Sequence, residues 1–230
     1  MHVARARVHA AATAVRDEAA TRLRDCGAES CAALCRRVNR LLEDELERAR
    51  TAGAPVACAA GCAFCCHQRV GVLPHEAMAL LAYLRTHVPV AQREEIERVI
   101  IANASRVDGM TVAEHMAANL PCALLRDGRC SAYEVRPAIC ASFHSLSRER
   151  CEHSFNHPQD IGTPRNSRPA LLEMKTLADS LRGATTAAYE AAGKANRTLE
   201  LHQALRMLLE DPSALEDYRA GDTLGSGGSS

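Results

Sequence analysis

Four of the chain's eleven cysteines fall within nine residues, as Cys58, Cys62, Cys65 and Cys66 of the stretch Cys-Ala-Ala-Gly-Cys-Ala-Phe-Cys-Cys. So dense a run of thiols calls for irregular backbone whose side chains converge on a soft metal or an iron–sulfur cluster. Ligands must come within about 2.3 Å of a single zinc, or bind a cluster of similar compactness. Short loops bring them together at little entropic cost. Cys62 and Cys65 have the Cys-x2-Cys spacing of a thiolate knuckle, and Cys58 reaches the same place with Gly61 freeing the backbone between. Cys65 and Cys66 are adjacent, so their side chains diverge. One of them binds a second metal, bridges, or packs.

Four further cysteines, Cys122, Cys130, Cys140 and Cys151, are widely spaced. Joined to the first group they complete one site or supply enough thiolates for two. The competing reading treats a buried cysteine as a small hydrophobe. It suits Cys31 and Cys35, which lie on the apolar stripe of a helix, while Cys26 stands apart as a free thiol.

Aromatic residues make up 3% of the 230-residue chain, there is no Trp, and 47% of residues are hydrophobic. The core must therefore be built from Ala, Leu, Val and Ile, a composition that favours helix. Basic and acidic residues balance at 28 each. With no net field, nucleic acid and anionic membrane surfaces are not expected partners. No apolar run approaches the roughly 20 residues that span a bilayer, and the first ten residues lack a secretory hydrophobic core. A reducing cytoplasm is the expected compartment. There, an odd number of cysteines is better explained by metal than by disulfides.

The pattern predicts helices over 5–24 and 29–50, the second with Cys31, Leu34, Cys35, Val38, Leu41, Leu42, Leu46 and Ala49 on one stripe. Pro74 and Glu76 open a further helix that Pro89 ends. A helix over 90–107 follows, then Asp108-Gly109 as a turn and a short helix capped by Thr111. Asp127-Gly128 predicts a tight turn and a small hairpin, and Arg136-Pro137 starts a short helix carrying Cys140. After Pro158, helices return at 168–192 and 197–210, and 222–230 is a flexible tail of Gly and Ser. The expected organisation is an N-terminal helical region (1–54), a cysteine core (55–158), C-terminal helices packed on it (159–221) and the tail (222–230). The fold class is mainly α, a helical bundle around a cysteine-rich loop and hairpin.

Two stretches together resemble a known family. The first is Cys58-x3-Cys62-x2-Cys65-Cys66 ahead of a helix with an early Glu76. The second is Cys122-x7-Cys130-Ser-Ala-Tyr133-Glu-Val-Arg136-Pro137-Ala-Ile-Cys140. Over residues 56–151 the chain resembles the YkgJ-type cysteine-cluster proteins, described as chelating zinc or iron with eight characteristic cysteines. The resemblance implies that Cys58, Cys62, Cys65, Cys66, Cys122, Cys130, Cys140 and Cys151 are the metal ligands. Ala141 stands where the family commonly has Arg, and the terminal helices lie outside the resemblance. A relative sharing the motif is flagellin lysine N-methylase, whose methyl transfer is thought to need an iron–sulfur cluster. The local Cys-x3-Cys-x-Phe-Cys spacing also fits radical S-adenosylmethionine enzymes, but the chain lacks their strand–helix alternation.

These readings imply a metal-binding protein holding an iron–sulfur cluster, favoured over zinc, in a redox or metal-handling role. The alternatives are a metal-dependent methyltransferase like the methylase, and a helical module with structural zinc that docks a protein partner. Nothing independent of the metal argues for catalysis. Around the site, Arg136 either donates to a metal-bound thiolate or pairs with Glu134 or Glu76. Tyr133 packs against the cluster loop. His67 and His144 are ligands, outer donors or surface residues, and His153 and His157 lie near Cys151 without an assigned role.

Overall fold

Helix α2 (Ala28–Thr51) runs through the middle of the structure, a computed structural model describing residues 2–24, 27–163, 168–194, 196–211 and 213–214. The free-thiol reading of Cys26 and the tail at 222–230 fall outside the described residues. Cys31, Leu34, Cys35, Val38, Leu42 and Leu46 are buried along one face of α2, with Leu41 and Ala49 partly buried beside them. That face packs on α3 (Pro74–His87), and α1 (His2–Arg22) packs on α2 and on the long α8 (Leu172–Ala191). Leu34, Leu42, Leu80, Leu84, Met174 and Leu181 are fully buried where these helices meet. Each such side chain contributes about 1.5–3 kcal/mol by leaving water.

The remaining helices follow the punctuation of the sequence. Pro89 separates α3 from α4 (Val90–Val107). Thr111 caps α5 (Val112–Ala117) reciprocally with Glu114, as the capping box requires. Asp127 and Gly128 both adopt positive φ, 48° and 73°. This is the geometry of a two-residue hairpin turn joining β2 (Leu125–Arg126) to β3 (Arg129–Cys130). Helix α6 (Ala138–Ser142) carries Cys140 behind Pro137.

Two elements were not expected. Helix α7 (Arg148–Asn156), capped by the Ser147 side chain, carries Cys151. A two-residue antiparallel pair joins β1 (Gly71–Val72) to β4 (Leu199–Glu200), which leads straight into α9 (Leu201–Glu210). Helix α9 packs on α4 and α3, so the C-terminal part of the chain flanks the cysteine-bearing part. Among the described residues the architecture is mainly helical, with only these two short strand pairs.

One buried carboxylate ties three parts of the fold together. Glu76, 2% exposed, accepts the amides of Leu73 and Ala138, each at 2.8 Å, and pairs with Arg182 on α8 at 3.0 Å. It thereby closes the start of α3 and fixes the N-terminus of α6. Beside it, among α2, α3 and α8, lies a cavity of about 10 Å³, lined in part by Asn39, His75 and Cys35. Among the described residues, His75 Nδ1 and Asn39 Oδ1 are buried without a hydrogen-bond partner.

Candidate metal centre

The first cysteine group sits on a loop that tightens into a single 3-10 turn, Phe64–His67, so Cys58, Cys62, Cys65 and Cys66 occupy short irregular backbone. Gly61, at φ +83°, allows this turn, and the hairpin rests directly on it. A β-carbon on Gly128, itself at φ +73°, would lie 3.1 Å from the Gly61 carbonyl oxygen. Two glycines in left-handed backbone thus let the hairpin carrying Cys130 seat against the first loop. The Cys122 amide donates to the Cys66 carbonyl at 2.8 Å, a second seam between the two groups.

Helix α7 brings the last cysteine in from the other side. Phe155 lies against Phe64 (centroids 5.5 Å apart) and edge-on to His67 (4.8 Å), and Arg148 lies 5.3 Å above the Phe64 ring. The Ser145 amide donates to Cys58 Sγ at 3.2 Å.

Charge coupling among the thiols separates them into two neighbourhoods. Cys58 and Cys151 each feel the charge of Cys62 and Cys65, whereas Cys122 and Cys140 each feel that of Cys130 and Cys65. Cys65 belongs to both, and its thiol is tied to Cys66 by a side-chain hydrogen bond. Among the described residues, no three His, Cys, Asp or Glu side chains are drawn together tightly enough to hold a metal ion. Cys31 and Cys35 stay buried on α2, apart from the loop, as core cysteines.

The donor set suits a thiophilic metal on two counts. First, burial pushes the thiols up, Cys122 to about 12 and Cys140 well above the ordinary range. Such groups stay protonated and poorly nucleophilic at neutral pH unless a cation replaces the proton. Second, donors already point at the sulfurs. Besides Ser145 on Cys58, the Leu124 and Ala132 amides favour the ionised forms of Cys122 and Cys130, and the Ser145 hydroxyl does so for Cys151. Hydrogen bonds of this kind stabilise metal-bound thiolates.

Cationic charge comes from a residue that the sequence did not single out. Arg168 donates to Gln68 Oε1 at 2.7 Å, lies 5.3 Å over the Phe143 ring, and its charge favours the thiolates of Cys65 and Cys151. Arg136 departs from expectation. It pairs with Glu43 at 3.4 Å instead of Glu134 or Glu76, and its guanidinium sits 3.6 Å above Tyr133. Its charge still reaches Cys130. Tyr133 is 55% exposed and lies under the Arg136 guanidinium.

The two nearest histidines have one nitrogen engaged each. His67 Nδ1 lies 3.1 Å from the Ala63 carbonyl, and His144 Nε2 lies 3.1 Å from that of Ala141, while His144 Nδ1 is buried with no hydrogen-bond partner among the described residues. His153 and His157 stack on each other beyond Cys151. No helix among the described residues is long and apolar enough to cross a membrane.

Residues 57–160 match a family model named CxxCxxCC and described as "Putative zinc- or iron-chelating domain". No curated protein and no solved structure matches the chain. All eight cysteines of the two neighbourhoods fall inside the matched stretch, so over residues 57–160 the chain is similar to the CxxCxxCC cysteine-cluster family.

Proposed function

We propose that this chain is a metal-binding protein that holds an iron–sulfur cluster or zinc through Cys58, Cys62, Cys65, Cys66, Cys122, Cys130, Cys140 and Cys151, in a redox or metal-handling role. What supports this reading is the charge coupling of thiols from separate segments with Cys65, together with N–H donors and Arg168 that favour thiolates. Cys58, Cys62 and Cys66 are only half-buried, although the thiols of Cys122 and Cys140 lie deeper. A purely structural zinc site is normally closed, whereas a metal that exchanges electrons or is passed on must be approached from solvent. An iron–sulfur cluster is favoured over zinc, because hydrogen-bonded sulfurs in Gly-containing loops suit it and a motif-sharing enzyme is thought to use one. Bound iron–sulfur would supply one-electron chemistry. The protein's residues fix the sulfurs, shield one side with Phe64 and Phe155, and offset negative charge through Arg168.

Purification without oxygen, with metal and sulfide analysis and a visible spectrum, tests the proposal. A brown protein with broad charge-transfer absorption and bound iron is expected. A colourless protein with stoichiometric zinc would replace iron–sulfur by zinc. Absence of both metals from freshly purified, reduced protein would overturn the reading.

A further inference from the structure

A buried polar network brings the C-terminal helix back to the second cysteine segment. Asn103 on α4, Glu200 at the start of α9 and His202 in its first turn are 9%, 5% and 4% exposed. Together they grip the peptide groups on either side of Cys122. Asn103 Nδ2 donates to the Pro121 carbonyl at 2.9 Å, immediately before the cysteine. Immediately after it, the Ala123 amide donates to His202 Nε2 at 3.2 Å. Asn103 Nδ2 and His202 Nε2 are themselves 3.3 Å apart.

The tautomer follows from these contacts. Nε2 accepts from an amide, so the ring proton of the neutral imidazole resides on Nδ1 and is donated to Glu200 Oε1 at 3.1 Å. The other carboxylate oxygen accepts the Gln203 amide at 2.9 Å, which holds the acid still. With the Cys122 amide on Cys66 and its carbonyl accepting from Leu125, the backbone around this one cysteine is held from every side.

Burying three such groups is costly unless every one is satisfied, and apolar side chains would fill the same space more cheaply. What the network gives in return is position. Ligands must be held to about 0.5 Å, and groups that orient them change metal affinity by roughly 10–100-fold. We infer that Asn103, His202 and Glu200 form a clamp that positions Cys122 as a metal ligand, with two of its three members outside residues 57–160. The inference rests on the metal-binding reading above and names positioning residues for that site.

The test is a cobalt(II) titration of the reduced full chain and its variants. Affinity is read by competition, thiolate ligation by the sulfur-to-cobalt charge-transfer band, and stability by melting of the metal-free protein. His202→Leu is expected to weaken cobalt binding by at least about tenfold and to lower the charge-transfer band. His202→Gln, whose amide oxygen can stand where Nε2 stood, should recover most of both. Wild-type affinity and band in His202→Leu would overturn the clamp whatever the melting temperature. So would a Gln variant no better than Leu, since the loss would then come from packing. If His202→Leu does not fold, Asn103→Ala decides, with a weakening of several-fold expected and an unchanged affinity fatal. A wild-type chain that binds no cobalt would instead remove the metal-binding reading, and the clamp with it.

Discussion

Along α2 and α8, helices of 24 and 20 residues, the chain is held by a continuous apolar face. Leu34, Leu42, Met174 and Leu181 are fully buried there, and the Arg182–Glu76 pair marks the junction with the cysteine segment. Between Cys58 and Cys151 the order is different. Helix α6 has five residues, β2 and β3 two each, and each element is placed by a particular bond: Glu76 to the Ala138 amide, Ser145 to Cys58, Gly128 against Gly61. A region held by area tolerates substitution and loses stability gradually. A region held by individual bonds fails where one of them is removed.

Metal removal should break this comparison most widely. Stripping the protein is expected to abolish hydrogen-exchange protection over residues 56–73 and 119–158 while α1, α2 and α8 stay protected. Structural zinc in small modules supplies about 10–16 kcal/mol, far more than the local packing here can replace. Equal protection of both regions in stripped protein would mean that the cysteine segment folds on packing alone. Apolar side chains there do enter the core, Val72, Leu73, Leu120, Leu124 and Val135 among them, and they set how much structure survives.

Glu76→Ala comes next in size. It strands two amides and leaves Arg182 without its buried partner, so denaturant unfolding should show a loss of about 3–5 kcal/mol. A loss under about 1 kcal/mol would show that the junction between the two regions is secured by apolar contact after all.

His75 sharpens the comparison through pH. Burial, the dominant influence, lowers its pKa from 6.5 to about 4 in the folded chain. Between those values the unfolded chain binds a proton that the folded chain refuses. Stability attributable to His75 is therefore complete above pH 6.5 and declines as pH falls toward 4, by about 3 kcal/mol in total. His75→Leu should flatten that part of the stability profile, measured as the difference from wild type. Parallel profiles would refute the buried neutral imidazole.

The smallest effect separates the two kinds of cysteine. Cys35→Ala should cost about 1 kcal/mol and leave metal content whole, as should Cys31→Ala. Cys62→Ala and Cys65→Ala should sharply reduce metal content. Loss of metal from Cys35→Ala would make α2 part of the site and dissolve the distinction between frame and cysteine segment.

Much of the frame was legible because its signals are local. Pro89 alone divides α3 from α4, and the helix expected over 90–107 runs Val90–Val107. Asp127-Gly128 turned as their backbone preferences require. Helix α7 escaped because its buried side is little more than Cys151 and Ser154, leaving no apolar period, although Ser147 marked its start. The β1–β4 pair joins Gly71 to Glu200, and two-residue strands carry no pattern of their own. At the site, spacing and the family resemblance singled out the thiols as candidate ligands. Arg168, the Glu43 partner of Arg136 and the Asn103–His202 pair meet the cysteine segment only in three dimensions, so nothing in their neighbouring residues announced them.

The β1–β4 pair also sets a timetable for synthesis. The backbone of β1 leaves the ribosome long before β4 exists to pair with it, and His202 emerges 80 residues after Cys122. At roughly 5–20 residues per second that interval lasts about 4–16 s, and the last of the eight cysteines, Cys151, emerges well before it ends. A nascent chain can therefore meet a metal donor, an oxidant or a chaperone before α9 arrives to hold Cys122 in place.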